Sequence, residues 1–107
     1  MVSVLYLLFK SPYKNFNGMD ALMRVVKSQS VKSKVGVALL QDAVVSLRGV
    51  LSEKIVELAK EGIHVIALSE DLKARGIGST VDGVQQVSYR EIINIIMNDY
   101  DKVVSWG

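Results

Sequence analysis

Cysteine is missing from all 107 residues. That absence excludes disulfides, thiolate metal sites, persulfide chemistry and thiol catalysis on this chain's own side chains. Histidine occurs once, as His64, which excludes a histidine-rich metal cluster. Proline and tryptophan also occur once each, and aromatic residues make up 7% of the chain. No apolar run reaches the roughly 18 residues needed to cross a bilayer. The apolar opening Val2–Phe9 has no charged leader before it and no small-residue cleavage site after it. It therefore reads as a buried strand, not an export signal, and the expected location is the cytoplasm.

What is present is a globular composition, half hydrophobic and 22% charged, which argues against disorder. A chain of this size buries roughly 65% of the surface its unfolded form exposes. One domain over residues 1–107 is the natural reading. The net charge of +2 is unevenly spread: residues 1–34 hold six basic side chains against Asp20 alone, and the remainder seven basic against ten acidic. A basic patch near the first helix suits an acidic partner or RNA. No aromatic residue lies among Arg24, Lys27, Lys32 and Lys34, as single-strand binders need, so a solvated face is favoured and direct nucleic-acid binding is not expected.

Five apolar runs read as strands: Val2–Phe9, Val35–Leu40, Ile63–Leu68, Val84–Val87 and Lys102–Ser105. The first three are nearly continuous in apolar residues, the habit of strands covered on both faces of a parallel sheet. Between them lie helical patterns. Ala21, Leu22, Val25 and Val26 share one face of a first helix. Leu51, Ile55, Leu58 and Ala59 do so in a second, with Ser52 near its start and Gly62 just past its end. Ser69-Glu70-Asp71 opens a short third helix that Arg75 and Gly76 close, with charges matched to the helix dipole. Ser88-Tyr89-Arg90-Glu91 has the form of a capping box. The alternation predicts a three-layer α/β/α sandwich with a mainly parallel sheet of about five strands. Gly76–Gly83, with three glycines, is the expected mobile loop.

From Tyr89 to Tyr100 seven positions are apolar or aromatic, more than the ~100° arc a helix needs to cover one sheet face. Either its outer flank, with Ile93, Ile96, Met97 and Tyr100, meets another subunit, or the tail with Trp106 folds over it. Small α/β domains often close into symmetric oligomers, so a homo-oligomer is possible. Trp106 is either an exposed anchor for a partner or a plug at the end of the sheet.

In doubly wound sheets the functional crevice lies beyond the carboxyl ends of the strands. Ser11 and Pro12 follow the first strand, Gln41 and Asp42 the second, Glu70 and Asp71 the third. They are candidates for a pocket that takes an anion or a partner's side chain. The plainer alternative is that Asp42, Ser69, Glu70 and Asp71 cap helices. Asp42 with Glu70 as an acid/base pair is a third alternative that nothing in the spacing demands. A phosphate site is excluded: no Gly-x-Gly-x-x-Gly follows the first strand, no Walker-type Gly-Lys-Ser/Thr occurs, and Gly76-Ile77-Gly78 follows a helix. A phosphoacceptor role for Asp42 fails because the first strand ends in Lys10-Ser11, without the acidic pair a magnesium site needs. His64 sits between Ile63 and Val65 and reads as a hydrogen-bonded structural histidine.

Several segments together resemble a known family. Phe9-Lys10-Ser11-Pro12-Tyr13, Leu39-Leu40-Gln41-Asp42-Ala43-Val44, and Ala67 through Ile77 with its Glu70-Asp71-Leu72-Lys73-Ala74-Arg75-Gly76 string are typical of the DsrH/TusB family. The ending from Val87-Ser88-Tyr89 to Val103-Val104-Ser105-Trp106 is similar to that family's terminal strand with its closing tryptophan. The resemblance implies a DsrE/DsrF/DsrH-like fold, no cofactor, and a heteromeric complex with DsrE/TusD-like and DsrF/TusC-like siblings. It also implies indirect dealings with a TusA-like sulfur donor and a TusE/DsrC-like acceptor, toward tRNA 2-thiouridine or in sulfur oxidation. The carrier cysteine of such complexes belongs to the DsrE/TusD-type subunit. Some DsrH members carry an early cysteine, and its absence here leaves structural support or docking. Ser11, Pro12, Gln41, Asp42, Glu70, Asp71, Arg75 and Trp106 are then the expected partner contacts.

Overall fold

The computed structural model describes residues 2–11, 16–78 and 80–106, with side chains at all of these except 16–19. Five strands, β1 (Ser3–Leu8), β2 (Lys34–Leu39), β3 (His64–Leu68), β4 (Val84–Val87) and β5 (Lys102–Trp106), form one sheet in the order β4-β3-β2-β1-β5. Every pairing is parallel. Four α-helices connect them: α1 (Phe16–Ser30), α2 (Leu51–Lys60), α3 (Ser69–Ala74) and α4 (Tyr89–Asn98). A 3₁₀ segment over Gln41–Leu47 precedes α2, an element the sequence pattern did not announce.

The two sheet faces are covered unequally. Val4, Tyr6 and Leu8 of β1, with Val35, Val37 and Leu39 of β2 and Val65 and Ala67 of β3, pack against Leu22, Met23 and Val26 of α1 and Ile55 and Leu58 of α2. Leu72 of α3 and Val44 and Leu47 of the 3₁₀ segment join the same core. On the other face Leu5, Ala38, Ile66, Leu68 and Val87 pack with Leu40, with Ile92, Ile95 and the partly buried Ile96 of α4, and with Tyr100. Continuous apolar strands at the centre are thus explained, because successive side chains enter different cores.

Three sequence expectations shift. Met23, not Val25, completes the buried stripe of α1, and Val25 stays 36% exposed. Ser52 is not a cap: it lies inside α2 and its hydroxyl donates to the Gly49 carbonyl at 2.7 Å. Tyr100 lies beyond the end of α4 and turns inward, 7% exposed, so it contributes nothing to an outer flank. The reason is Gly36, whose bare backbone lets the Tyr100 ring lie directly against β2.

Both glycine stops behave as read. At the end of α2, Gly62 takes φ +87° while Gly62 and Ile63 amides bond back to Ala59 and Leu58 carbonyls. At the end of α3, Gly76 takes φ +68°, and Gly76 and Ile77 repeat the pattern onto Lys73 and Leu72. Each is a Schellman closure, and in the second the buried Ile77 packs into the same core as Leu72. The segment after Gly76 is therefore anchored at Ile77 and again at Thr80, whose hydroxyl donates to the Val84 carbonyl.

Candidate partner-docking site

Parallel strands bring all their carboxyl ends to one edge of the sheet, so the loops after β1, β2 and β3 meet there. The chain leaves β2 through Gln41, whose φ of +50° is the one left-handed value outside glycine among the described residues. A long side chain without local hydrogen bonds gains nothing from that conformation, so something must hold it. The Asp71 carboxylate does so, accepting the Gln41 amide at 2.6 Å.

Asp71 belongs to a wider network. The Arg75 guanidinium donates through Nε and Nη2 to the same Asp42 oxygen, at 3.1 and 2.9 Å. Its Nη1 reaches the Asp71 carbonyl at 3.3 Å and lies 3.6 Å from the Asp71 carboxylate. The loop after β2 is thus pinned to α3 by one amide and one cation shared between two carboxylates. Arg75 is only partly exposed, 26% at its side chain, whereas Asp42 is 62% exposed and presents its free oxygen to solvent.

Glu70 reaches in another direction. Its carboxylate accepts the Tyr89 amide at 3.2 Å, at the first turn of α4, and the Ser69 hydroxyl at 3.1 Å. Bonds from its own amide and that of Tyr89 hold its carboxyl below the usual range, aided by Ser69 and the Lys73 charge. A general acid needs the opposite shift, so Glu70 does not fit that role. The expectation of capping is met crosswise. Glu70 serves the first turn of α4 as well as its own amide in the first turn of α3, and Asp71 serves the start of the 3₁₀ segment. The N-cap positions of α3 and of the 3₁₀ segment, Leu68 and Leu40, make no side-chain cap bond.

The structure brings Gln41, Asp42, Asp71 and Arg75 into one network and joins Glu70 to α4. Ser11 follows β1 at the same edge, half-buried, and Pro12 lies outside the described residues. Trp106 ends β5 beside Leu8 in register and meets Tyr6 edge-to-face, centroids 6.0 Å apart. It plugs the sheet end while keeping part of its surface in solvent. Sequence reasoning missed the left-handed Gln41 and the Tyr89 amide. Neither carries a residue-type signal, since glycine or asparagine would be the usual sign of the first.

His64 lies away from this edge, at the start of β3. Its Nδ1 is 2.9 Å from the Tyr100 hydroxyl and its Nε2 2.9 Å from Gln85 Oε1. Both ring nitrogens are thus engaged by neighbouring side chains. The histidine is structural. Within the basic patch Lys27 pairs with Glu57 at 2.9 Å, and Asp20, the one acidic residue of that segment, pairs with Lys54 at 2.7 Å. Lys34 sits 4.9 Å from the Tyr100 ring centroid.

On α4 the apolar surplus is real. Tyr89, Ile93 and Met97, four residues apart, are 60%, 40% and 75% exposed, with Ile96 half-buried beside them. Such a stripe at i, i+4, i+8 is one continuous ridge. Among the described residues no three His, Asp or Glu side chains cluster as metal ligands do, and no helix is long and apolar enough to cross a membrane.

A family model described as DsrH like protein matches residues 10–103. The chain belongs to the DsrH-like family. The DsrH-like chain also superposes on two solved structures. It matches the YchN protein from E. coli with TM-score 0.81 at 18% identity, covering 99% of this chain and 100% of that one. It matches MTH1491 from Methanobacterium thermoautotrophicum, a protein of unknown function, with TM-score 0.79 at 18% identity, covering 98% and 99%. At such identity these two establish the shared fold. A search of curated proteins returns no significant match.

Proposed function

We propose that this DsrH-like chain is a non-catalytic subunit of a sulfur relay complex of the TusBCD/DsrEFH type. Its work is to hold sibling subunits so that persulfide sulfur moves on their cysteines, toward tRNA 2-thiouridine or in sulfur oxidation. One observation carries the reading: the family match spans residues 10–103 of a chain that contains no cysteine. A relay subunit without a thiol can only shape, dock or shield. DsrE/TusD-like and DsrF/TusC-like siblings are the direct partners. A TusA-like donor and a TusE/DsrC-like acceptor are reached through them.

Two surfaces support this role. The ridge of Ile93, Ile96 and Met97 offers apolar area of the sort interface cores are built from. The strand-end network offers a rigid polar rim, because Asp42, Asp71 and Arg75 are already locked to one another. Ser11, Gln41, Glu70 and the open flank of Trp106 complete that edge. A homo-oligomeric module without sulfur transfer is the second reading, favoured by the same ridge, which also suits a second copy.

Co-expression with sibling subunits, followed by size-exclusion chromatography, tests the proposal. Co-elution is expected, lost in Met97→Asp and weakened in Arg75→Ala. Separate elution of the wild-type chain, or acceptance of labelled sulfane sulfur by the purified chain alone, defeats it. Self-association lost in Ile93→Asp, with no sibling captured, selects the second reading.

A further inference from the structure

β5 closes one end of the sheet, and its outer edge has no neighbour among the described residues. Such an edge offers alternate amides and carbonyls to any passing strand, and proteins normally blunt it with proline, a bulge, inward charge or a covering loop. β5 lacks the first two devices. Lys102–Trp106 contains no proline, and all five residues pair one-to-one with Val4–Leu8, which leaves no room for a bulge. Its one charge, Lys102, stands at the first position. Val103 and Val104 remain 37% and 40% exposed in the middle of the strand. The opposite edge, β4, is shorter at four residues, and its Gln85 side chain is occupied by His64.

We infer that β5 pairs antiparallel with β5 of a second copy of this chain, about a twofold axis at Val104. Symmetry and the sequence of the strand select that occupant and register. Two identical edges close on themselves only when they run antiparallel. The axis then stands perpendicular to the sheet, so residues facing one another lie on the same side and their numbers have the same parity. Centring on Lys102 would oppose two ammonium groups. Centring on Val103 would leave Trp106 opposite Tyr100, which is buried and outside the strand. Centring on Val104 engages all five residues.

In that register Lys102, Val104 and Trp106 share the face that bears α1 and α2, as their partners Val4, Tyr6 and Leu8 do. Lys102 of each copy then stands across from Trp106 of the other, an ammonium beside an indole, and Val104 meets Val104. On the α4 face Val103 stands across from Ser105. No like charges oppose each other, and the two exposed valines of the strand are covered. The result is a ten-stranded sheet with the α4 ridges left free. The inference rests on the edge alone and holds whatever the ridge binds.

The absence of native thiols makes the test clean. Val104→Cys places one sulfur from each copy at the axis, where facing Cβ atoms stand about 4.5–5.5 Å apart, a small backbone adjustment from the ~3.5–4.5 Å a disulfide needs. Mild oxidation is expected to convert Val104→Cys to a covalent dimer at least tenfold faster than the control Lys60→Cys, which lies on α2. Sedimentation of the untagged wild-type chain should report a dimer, and Val104→Asp should raise its dissociation constant at least tenfold. If Val104→Asp proves unable to fold by circular dichroism, Lys102→Glu and the cross-linking comparison decide instead. A monomer at every concentration, or equal oxidation of the two cysteine variants, overturns the inference. So does a dimer abolished by Met97→Asp but untouched by Val104→Asp, which would place self-association on α4. Loss of sibling capture with unchanged self-association in Val104→Asp would overturn it too, by giving the edge to another chain.

Discussion

Gly36 sits in the middle of β2 beneath the Tyr100 ring, and adding a single methyl there tests how α4 is fastened to the sheet. A Cβ at Gly36 would lie 2.7 Å from Tyr100 Cζ and 2.9 Å from Leu5 Cδ1, and closer still to the Tyr100 hydroxyl. These side-chain ends are held in place: the ring is stacked on His64 at an interplanar angle of 12°, and Leu5 is fully buried. Overpacking of this sort costs about 1–3 kcal/mol. If Tyr100 yields by moving out, its bond to His64 is lost as well, adding about 1 kcal/mol. Gly36→Ala should therefore destabilise by roughly 2–4 kcal/mol on these figures. Tyr100→Ala alone should cost a comparable 3–5 kcal/mol or so through the cavity it leaves. The two changes relieve one another, since the methyl enters part of the space the ring vacated. The double variant should be no less stable than Tyr100→Ala, giving a coupling of at least about 2 kcal/mol, well above the ~0.5 kcal/mol scatter of independent sites. Urea titration read through Trp106, the only tryptophan, measures all four corners. Additive costs would refute the close approach of ring and strand, and with it the seating of the last turn of α4.

Three further outcomes are expected. Ser88→Ala removes the hydroxyl that accepts the Glu91 amide at 3.2 Å and should lower stability by about 1 kcal/mol in the same titration, with Ser88→Asp largely neutral. Asp101 accepts both the amide and the hydroxyl of Ser3, which hold its carboxyl below the ordinary value. Its contribution to stability is therefore present above the unfolded value of about 4 and fades as pH falls through the lower folded one. Denaturation midpoints across that range should flatten in Asp101→Asn; an unchanged acid slope would disprove the assignment. At Gln41 the φ of +50° makes a β-branched residue about 1–2 kcal/mol worse than glycine, so Gln41→Val should destabilise while Gln41→Gly leaves thermal stability near or above wild type.

The sequence made the sheet legible because its signals were local and redundant. Continuous apolar runs placed β1, β2 and β3 within a residue or two of their observed bounds, and Ser88 with Glu91 announced α4 before any contact was known. Glycine stops at Gly62 and Gly76 worked for the same reason: the conformation they need is one few other residues tolerate. What stayed hidden depends on the tertiary fold. Met23 replaces Val25 because helix periodicity leaves the edges of a stripe undecided until the sheet chooses a side. Tyr100 had the period of α4 but left the helix for Gly36, a contact between residues 64 positions apart. In the strand-end site the residue types were readable and the partners were not. Glu70 and Asp71 looked like caps of their own helix, yet each serves a neighbouring element.

The unequal dressing of the sheet is what most constrains the function. Among the described residues α1, α2 and α3 with the 3₁₀ segment pack one face, and α4 packs the other. On that face Leu7 and Phe9 of the β1 side are partly buried, and Val103 of β5 is 37% exposed. The α4 ridge stands beside them on the same face. Half-exposed valines and isoleucines such as these are surface of the sort other chains bury. Here the uncovered area and the polar network at the strand ends are tied by one bond, Glu70 to the amide that begins α4. Glu70→Ala would cut that tie while leaving the Asp42–Arg75–Asp71 cluster intact. If the two surfaces serve one partner, its capture should weaken in that variant without loss of the ridge. Capture as strong as wild type would mean that ridge and rim act separately.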